Sequence, residues 1–207
     1  MTEKDRQTEE KIFESAMEVF TEKGMDGARM QDIAIHAGIN KSLLHYYYRT
    51  KERLFTAVFE KIAREIFAKF APVFDENTSL EDKIRFFYLE HITFLQNNPR
   101  VPSFLLNEIN RNPARIKTVF DNINIDNLWS MLSNQHGDEM RKYHITKESV
   151  PQIMTAIVSL SVFPFAARGI LEVIFEKMDV NFDEYLEERK KFAADFVIAA
   201  LKNMNQQ

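Results

Sequence analysis

Apolar residues recur along this chain at the three- and four-residue spacing of an α-helix. The first stretch with this spacing, residues 8–23, has acidic residues near its start and ends at a glycine. Longer stretches follow at residues 51–70, 80–97 and 181–204. Because this spacing places apolar side chains on one face of a helix, each stretch can pack against a core. The pattern predicts an all-α protein.

The segment 24–55 has a different pattern, in which two short helices are joined by a tight turn. The apolar face of the first helix is formed by Ile33, Ala34 and Ala37. Gly38 can adopt the positive φ that ends a helix, and Asn40 is a good N-cap for the next helix. This order predicts a helix-turn-helix, whose second helix, about residues 41–47, could enter a DNA major groove.

Several positions of this segment fall, without insertion or deletion, on the pattern of a known DNA-binding domain. They are Asp32, Ile33, Ala34, Gly38, Ile39, Asn40, Leu44, Tyr48, Lys51 and Leu54. The segment therefore resembles the DNA-binding domain of the TetR family of transcriptional regulators. Two positions differ from the family pattern. His45 stands in place of a tyrosine that contacts DNA, and Arg29 in place of the serine or threonine that caps the first helix.

The resemblance implies an N-terminal three-helix DNA-binding domain, residues 1–50, and an effector-binding and dimerisation domain, residues 51–207. It also implies a homodimer that binds a palindromic DNA operator, most simply as a repressor. The implied DNA contacts are Gln31, Lys41, Ser42, His45, Tyr46, Tyr47 and Lys51. An effector would act through the helix at residues 51–70. Lys51 is expected to contact a phosphate, and a phosphate beside His45 would favour its imidazolium form and make operator affinity depend on pH.

Aromatic residues on the middle helices are compatible with a cavity for a small apolar or aromatic effector. The candidate lining residues are Phe87, Tyr88, His91, Phe94, Phe104, Trp129, Phe165 and Arg168. His91 is either a polar anchor in this cavity or a core histidine bonded to a carbonyl. Arg168 either faces the ligand or forms a surface ion pair.

The last helix has a wide apolar face with small residues that permit close helix approach. Together with residues 149–163, this face is either buried within one subunit or forms a four-helix interface across a two-fold axis. The resemblance favours the dimer. The candidate contact residues are Ile157, Leu160, Phe192, Phe196 and Ala200.

Turn and cap signals divide the remaining sequence. Ser79 and Asn181 each precede a helix and are expected to cap it. Ser149 and Gln152 fit a capping box, and Pro164 should kink or break the helix that follows. Residues 113–132 are expected to be helical, and the polar residues 134–144 to form a surface loop.

Composition narrows the range of functions. The chain has no cysteine, its histidines are not spaced as metal ligands, and it has no nucleotide-binding or nucleophile-elbow motif, so we expect no cofactor, no metal and no enzymatic activity. Its charged N-terminus is not a signal peptide, and no apolar run is long enough to cross a membrane, which favours a cytoplasmic protein. The net charge of −4 supports one alternative, a helical small-molecule-binding or interaction protein that keeps the helix-turn-helix only as structure.

Overall fold

A computed structural model describes residues 3–70, 78–111 and 125–204, and this part of the chain forms ten α-helices and no strand. The helices are α1 (Glu3–Gly27), α2 (Met30–His36), α3 (Lys41–Tyr47), α4 (Lys51–Phe70), α5 (Leu80–Asn97), α6 (Val101–Arg111), α7 (Ile125–Lys142), α8 (Val150–Ala166), α9 (Arg168–Glu176) and α10 (Phe182–Asn203). The all-α prediction is confirmed.

The chain divides into two compact units. Unit 1 is Met1–Glu65 with Arg100–Val119, and unit 2 is Ile66–Pro99 with Phe120–Gln207. Unit 1 extends beyond residue 50 because α4 and α6 share its aromatic core. The ring of Phe55 in α4 lies 4.9 Å from that of Phe20 in α1 and 5.3 Å from that of Phe104 in α6, measured between ring centroids.

In unit 1, Gly24 interrupts the helical geometry of α1, as the sequence predicts for the end of the first helix. Its φ of 67° and ψ of 172° lie in a region that is almost restricted to glycine. A Cβ at this position would also lie 2.5 Å from Nη1 of Arg111. The helix starts earlier than expected, at Glu3, so its acidic first turns reach α3.

Unit 2 is built on α5 and α10, which pack along each other and both contact α8. The largest side chains fully buried between them include Tyr88, Ile92 and Leu186. Both helices begin at the predicted caps. Oγ of Ser79 accepts a hydrogen bond from the Asp82 amide, and the Asn181 side chain accepts from the amides of Asp183 and Glu184.

The predicted loop at residues 134–144 is wrong, because α7 continues to Lys142. Its helical geometry is interrupted only at His136, whose φ is −124° and ψ 22°. His136, Met140 and Tyr143 are buried, and Glu139 joins His136 Nδ1 to the amide of Leu80. These buried contacts keep the segment helical, although its polar sequence has little helical pattern. Residues 113–124 of the helix predicted before it lie outside the described residues.

The capping box predicted at Ser149 and Gln152 is also wrong. Ser149 has α-helical φ and ψ angles, and its side chain caps nothing in α8. Its hydroxyl instead closes the preceding turn, accepting from the Thr146 amide at 3.0 Å and donating to the Thr146 carbonyl at 3.1 Å. A cap needs the serine oxygen to accept from an amide in the first turn of the helix, whereas here that oxygen accepts from the Thr146 amide, so the turn competes with the cap.

Pro164 lies inside α8, and the bend it was expected to cause follows at Ala167. Proline has no amide hydrogen, so the carbonyl of Leu160 loses its helical donor. Nε of Arg189 in α10 donates to that carbonyl at 3.2 Å.

No single described helix could span a membrane, although α8 and α9, bent by 71°, would together have the length and apolar composition to do so.

Candidate nucleic-acid interface and associated surfaces

The turn between α2 and α3 has the geometry that the sequence predicts. Gly38 has a φ of 65°, and its amide donates to the Ile35 carbonyl while the Ile39 amide donates to that of Ala34. These two bonds end α2 in a Schellman motif. Oδ1 of Asn40 then accepts from the Leu43 amide at 2.7 Å, which caps α3. Arg29 gives α2 no side-chain cap, as expected.

Asn40→Ala should lower the free energy of unfolding of unit 1 by about 1 kcal/mol, because the first turn of α3 loses its cap. Urea unfolding without DNA measures this change. Ser42→Ala is the matched control, since Ser42 is exposed in the same helix and its side chain makes no hydrogen bond with a described residue. Equal stability of the Asn40→Ala variant and wild type would contradict the structural role of the cap.

Four of the residues expected to contact DNA are exposed on α2 and α3. They are Gln31, Lys41, Ser42 and Tyr46. Tyr46 is 81% exposed, while Leu44 of the same helix is fully buried. Burial of Leu44 fixes the rotation of α3, so its polar side chains lie on the solvent side. This face has the size and chemistry to contact base edges and phosphates in a major groove.

The other three expected DNA contacts are partly engaged within unit 1. Nδ1 of His45 lies 3.2 Å from the carbonyl oxygen of Arg49. Tyr47 donates its hydroxyl hydrogen to the carboxylate of Asp5 at 3.2 Å. Nζ of Lys51 donates to two carbonyls at the end of α1, those of Asp26 and Ala28, at 3.2 and 3.1 Å. An ammonium group has three hydrogens, so these bonds leave Lys51 one donor.

Two carboxylates of α1 reach α3, and sequence reasoning missed both. Asp5 accepts from Tyr47, and Glu9 accepts from the Tyr48 hydroxyl at 3.0 Å. Burial and the bond to Glu9 raise the pKa of Tyr48. The paired residues are 42 and 39 positions apart, so no local spacing could have identified them.

In unit 2, the structure brings several candidate effector residues together. Tyr88, His91, Phe94 and Phe165 are buried, and the ring of Phe87 lies 5.0 Å from that of His91. His91 Nδ1 is 2.9 Å from Oγ of Ser161, which itself lies 2.9 Å from the Val158 carbonyl. Burial lowers the pKa of His91 to about 4, which favours the neutral ring. One of its partners is therefore a buried hydroxyl, which neither sequence alternative named.

The remaining effector candidates lie elsewhere. Phe104 belongs to the core of unit 1, and Trp129 is half-buried in α7. Arg168 donates to Glu172 at 2.7 Å and lies over the ring of Phe182, so the ion-pair alternative describes its contacts.

A half-open, mainly polar depression of about 460 Å³ surrounds the irregular turn of α7, lined by residues 133–139 and 141. No sequence-predicted effector residue lines it.

Helices α8, α9 and α10 leave large apolar side chains exposed. They are Met154, Val158, Phe163, Ile170, Val173, Ile174, Phe192 and Phe196, here called the apolar surface. Phe192 and Phe196, both predicted dimer contacts, are 57% and 56% exposed and stack with ring centroids 6.1 Å apart. Of the other predicted dimer contacts, Ala200 is exposed, and Ile157 and Leu160 are half-buried. Exposed apolar side chains in this number make the apolar surface a candidate for an interaction.

Comparison with known proteins gives matches over both the N-terminal segment and the fold. Residues 12–58 match the family model of bacterial regulatory proteins, tetR family. The HTH-type transcriptional repressor SCO4008 of Streptomyces coelicolor is 44% identical over 54 residues, 26% of this chain and 28% of that protein. The probable HTH-type transcriptional regulator YttP of Bacillus subtilis is 21% identical over 81% of this chain and 82% of its own length.

A solved structure extends the likeness to the fold. A TetR-like transcriptional regulator from Rhodococcus sp. RHA1 matches with a TM-score of 0.63 and 19% identity over 90% of this chain and 93% of its own. At this identity the likeness concerns the fold alone. This chain matches little more than a quarter of the length of SCO4008.

Proposed function

Because the chain belongs to the TetR family of bacterial regulatory proteins, we propose that it is a transcriptional repressor that binds DNA through α3. One observation carries the proposal. The buried Leu44 and the Asn40 cap hold α3 so that Lys41, Ser42 and Tyr46 are exposed. A recognition helix needs this arrangement, since its polar side chains must reach base edges while its apolar side anchors it to the domain.

We propose that the protein acts as a homodimer through the apolar surface and binds a palindromic operator. Two copies that meet across a two-fold axis present two α3 helices, and each can read one half-site. The apolar surface supports this assembly because pairing two copies would cover side chains such as Phe192 and Phe196, which are exposed in the single chain.

We also propose that a small-molecule effector binds in unit 2 and opposes operator binding. Phe87, Tyr88 and His91 support this site, because they combine aromatic surface with one polar group, the composition common to small-molecule sites. Effector and operator would then be linked by a coupling free energy of roughly 1–3 kcal/mol.

Selection of bound duplexes from a random-sequence DNA pool, at near-physiological salt, tests the proposed function. Enrichment of a two-fold symmetric site is the expected result, and its half-site spacing should be near one turn of B-DNA, about 34–36 Å. A folded dimer that enriches no sequence would overturn the proposal and favour a protein that keeps the helix-turn-helix only as structure.

Lys41→Ala should weaken binding to all DNA sequences alike and reduce the slope of log K against log salt by about one unit. Lys41 is exposed and has no bonding partner among the described residues, so its charge is available to a phosphate. Fluorescence anisotropy at several salt concentrations gives both quantities. A loss of preference at one base position, with an unchanged slope, would contradict the phosphate contact.

Lys51→Ala provides the comparison. Lys51 is still predicted to contact a phosphate, but it also joins the start of α4 to the end of α1. We therefore expect this variant to lose stability in addition to DNA affinity, whereas Lys41→Ala should unfold at the same urea concentration as wild type. Unchanged stability of Lys51→Ala would show that the two carbonyl bonds contribute nothing measurable.

A further inference from the structure

His45 has one ring nitrogen bonded to the main chain at the end of α3. Its Nδ1 lies 3.2 Å from the carbonyl oxygen of Arg49. A carbonyl oxygen can only accept a hydrogen bond, so Nδ1 must carry the hydrogen. A neutral imidazole has one N–H, and therefore Nε2 has a free lone pair and acts only as an acceptor.

Nε2 is available for a contact outside the protein. The bond from Nδ1 is the only hydrogen bond or ion pair that the His45 side chain makes with a described residue. The side chain is partly exposed, and its helix neighbours Lys41, Ser42 and Tyr46 are exposed. The acceptor therefore belongs to the surface of α3 that we propose to face DNA.

We infer that His45 determines operator specificity by accepting at Nε2 a hydrogen bond from a base amino group, that of adenine or cytosine, in the major groove. The inference rests on the proposed function of α3. Only adenine N6 and cytosine N4 present donors on the major-groove edge, whereas guanine N7 and O6 and thymine O4 are acceptors. Neutral His45 with this tautomer cannot donate through Nε2 to guanine or to a phosphate.

The test compares wild type, His45→Phe and His45→Tyr in the random-pool selection at pH 7.5. Wild type should enrich adenine or cytosine at one position of each half-site, and both variants should lose this preference while keeping the rest of the site. In the selected site, a base analogue that lacks the exocyclic amino group should then lower wild-type affinity about tenfold. The same analogue should leave the affinity of His45→Phe unchanged.

The outcomes separate this inference from the function on which it rests. If wild type enriches no symmetric site, the proposed function fails and the inference fails with it. If wild type enriches a site but both variants enrich the same bases at every position, only the role of His45 is overturned. A His45-dependent preference for guanine or thymine at pH 7.5 would likewise overturn it. Circular dichroism and urea unfolding confirm that each variant is folded before selection.

Discussion

Phe196→Asp is expected to give a monomer that binds the operator at least about 100-fold more weakly than wild type. Phe196 is 56% exposed and stacks on Phe192 in the apolar surface. In the proposed dimer this position is buried, and a buried carboxylate without a partner is strongly unfavourable. A monomer occupies one half-site at a time, so it loses the effective concentration that links the two recognition helices.

Leu89→Asp is the matched control. Leu89 is exposed to a similar extent, 50%, but lies on α5 and outside the apolar surface. Light scattering after size-exclusion chromatography gives the oligomeric state, and fluorescence anisotropy gives the operator affinity. Leu89→Asp should remain dimeric with wild-type affinity. A Phe196→Asp variant that stays dimeric, or a monomer that binds as tightly as wild type, would contradict this use of the apolar surface.

The features of this fold that sequence predicts well are local ones. Ser79, Asn40 and Asn181 cap their helices as expected, because the amide that each side chain accepts from lies two or three residues away. Gly38 is equally local: its positive φ ends α2 at the position that the adjacent residues already predict. Helix starts and ends of this kind depend on a few adjacent residues.

Local signals mislead where two of them compete. Ser149 has the sequence of a cap, but the turn at Thr146 uses its hydroxyl. The helix α7 shows the opposite case, since a polar and glycine-containing segment stays helical through the burial of Met140 and the bonds of Glu139. In both places the local structure depends on a contact that cannot be predicted from helical periodicity.

Long-range partners could not be predicted from spacing. His91 and Ser161 are 70 residues apart. Arg189 donates to the Leu160 carbonyl, which Pro164 leaves without a helical donor, and these two residues are 29 positions apart. Phe104 is aromatic and follows α5, which places it among the predicted effector residues, yet its ring packs against Phe55 in unit 1. Such assignments require knowledge of which helices are neighbours.

His91 is expected to make the protein less stable as the pH falls. Burial lowers its pKa in the folded state to about 4, whereas an unfolded histidine has a pKa near ~6.5. Above that pH both states are neutral, and His91 contributes no pH dependence. Between about pH 6.5 and 4 the unfolded state binds a proton that the folded state does not. The free energy of unfolding therefore falls by roughly 1.4 kcal/mol per pH unit, or about 2 kcal/mol by pH 5.

Urea unfolding of wild type and His91→Gln at pH 7.5, 6.5, 5.5 and 5.0 measures this contribution. Carboxylates affect both proteins alike, so the difference between the two pH profiles belongs to His91. The variant should be less stable than wild type at pH 7.5, because Ser161 loses its imidazole partner. That deficit should shrink by about 2 kcal/mol towards pH 5.0. Parallel profiles for wild type and His91→Gln would mean that His91 can be protonated in the folded protein, which would require water to reach the ring.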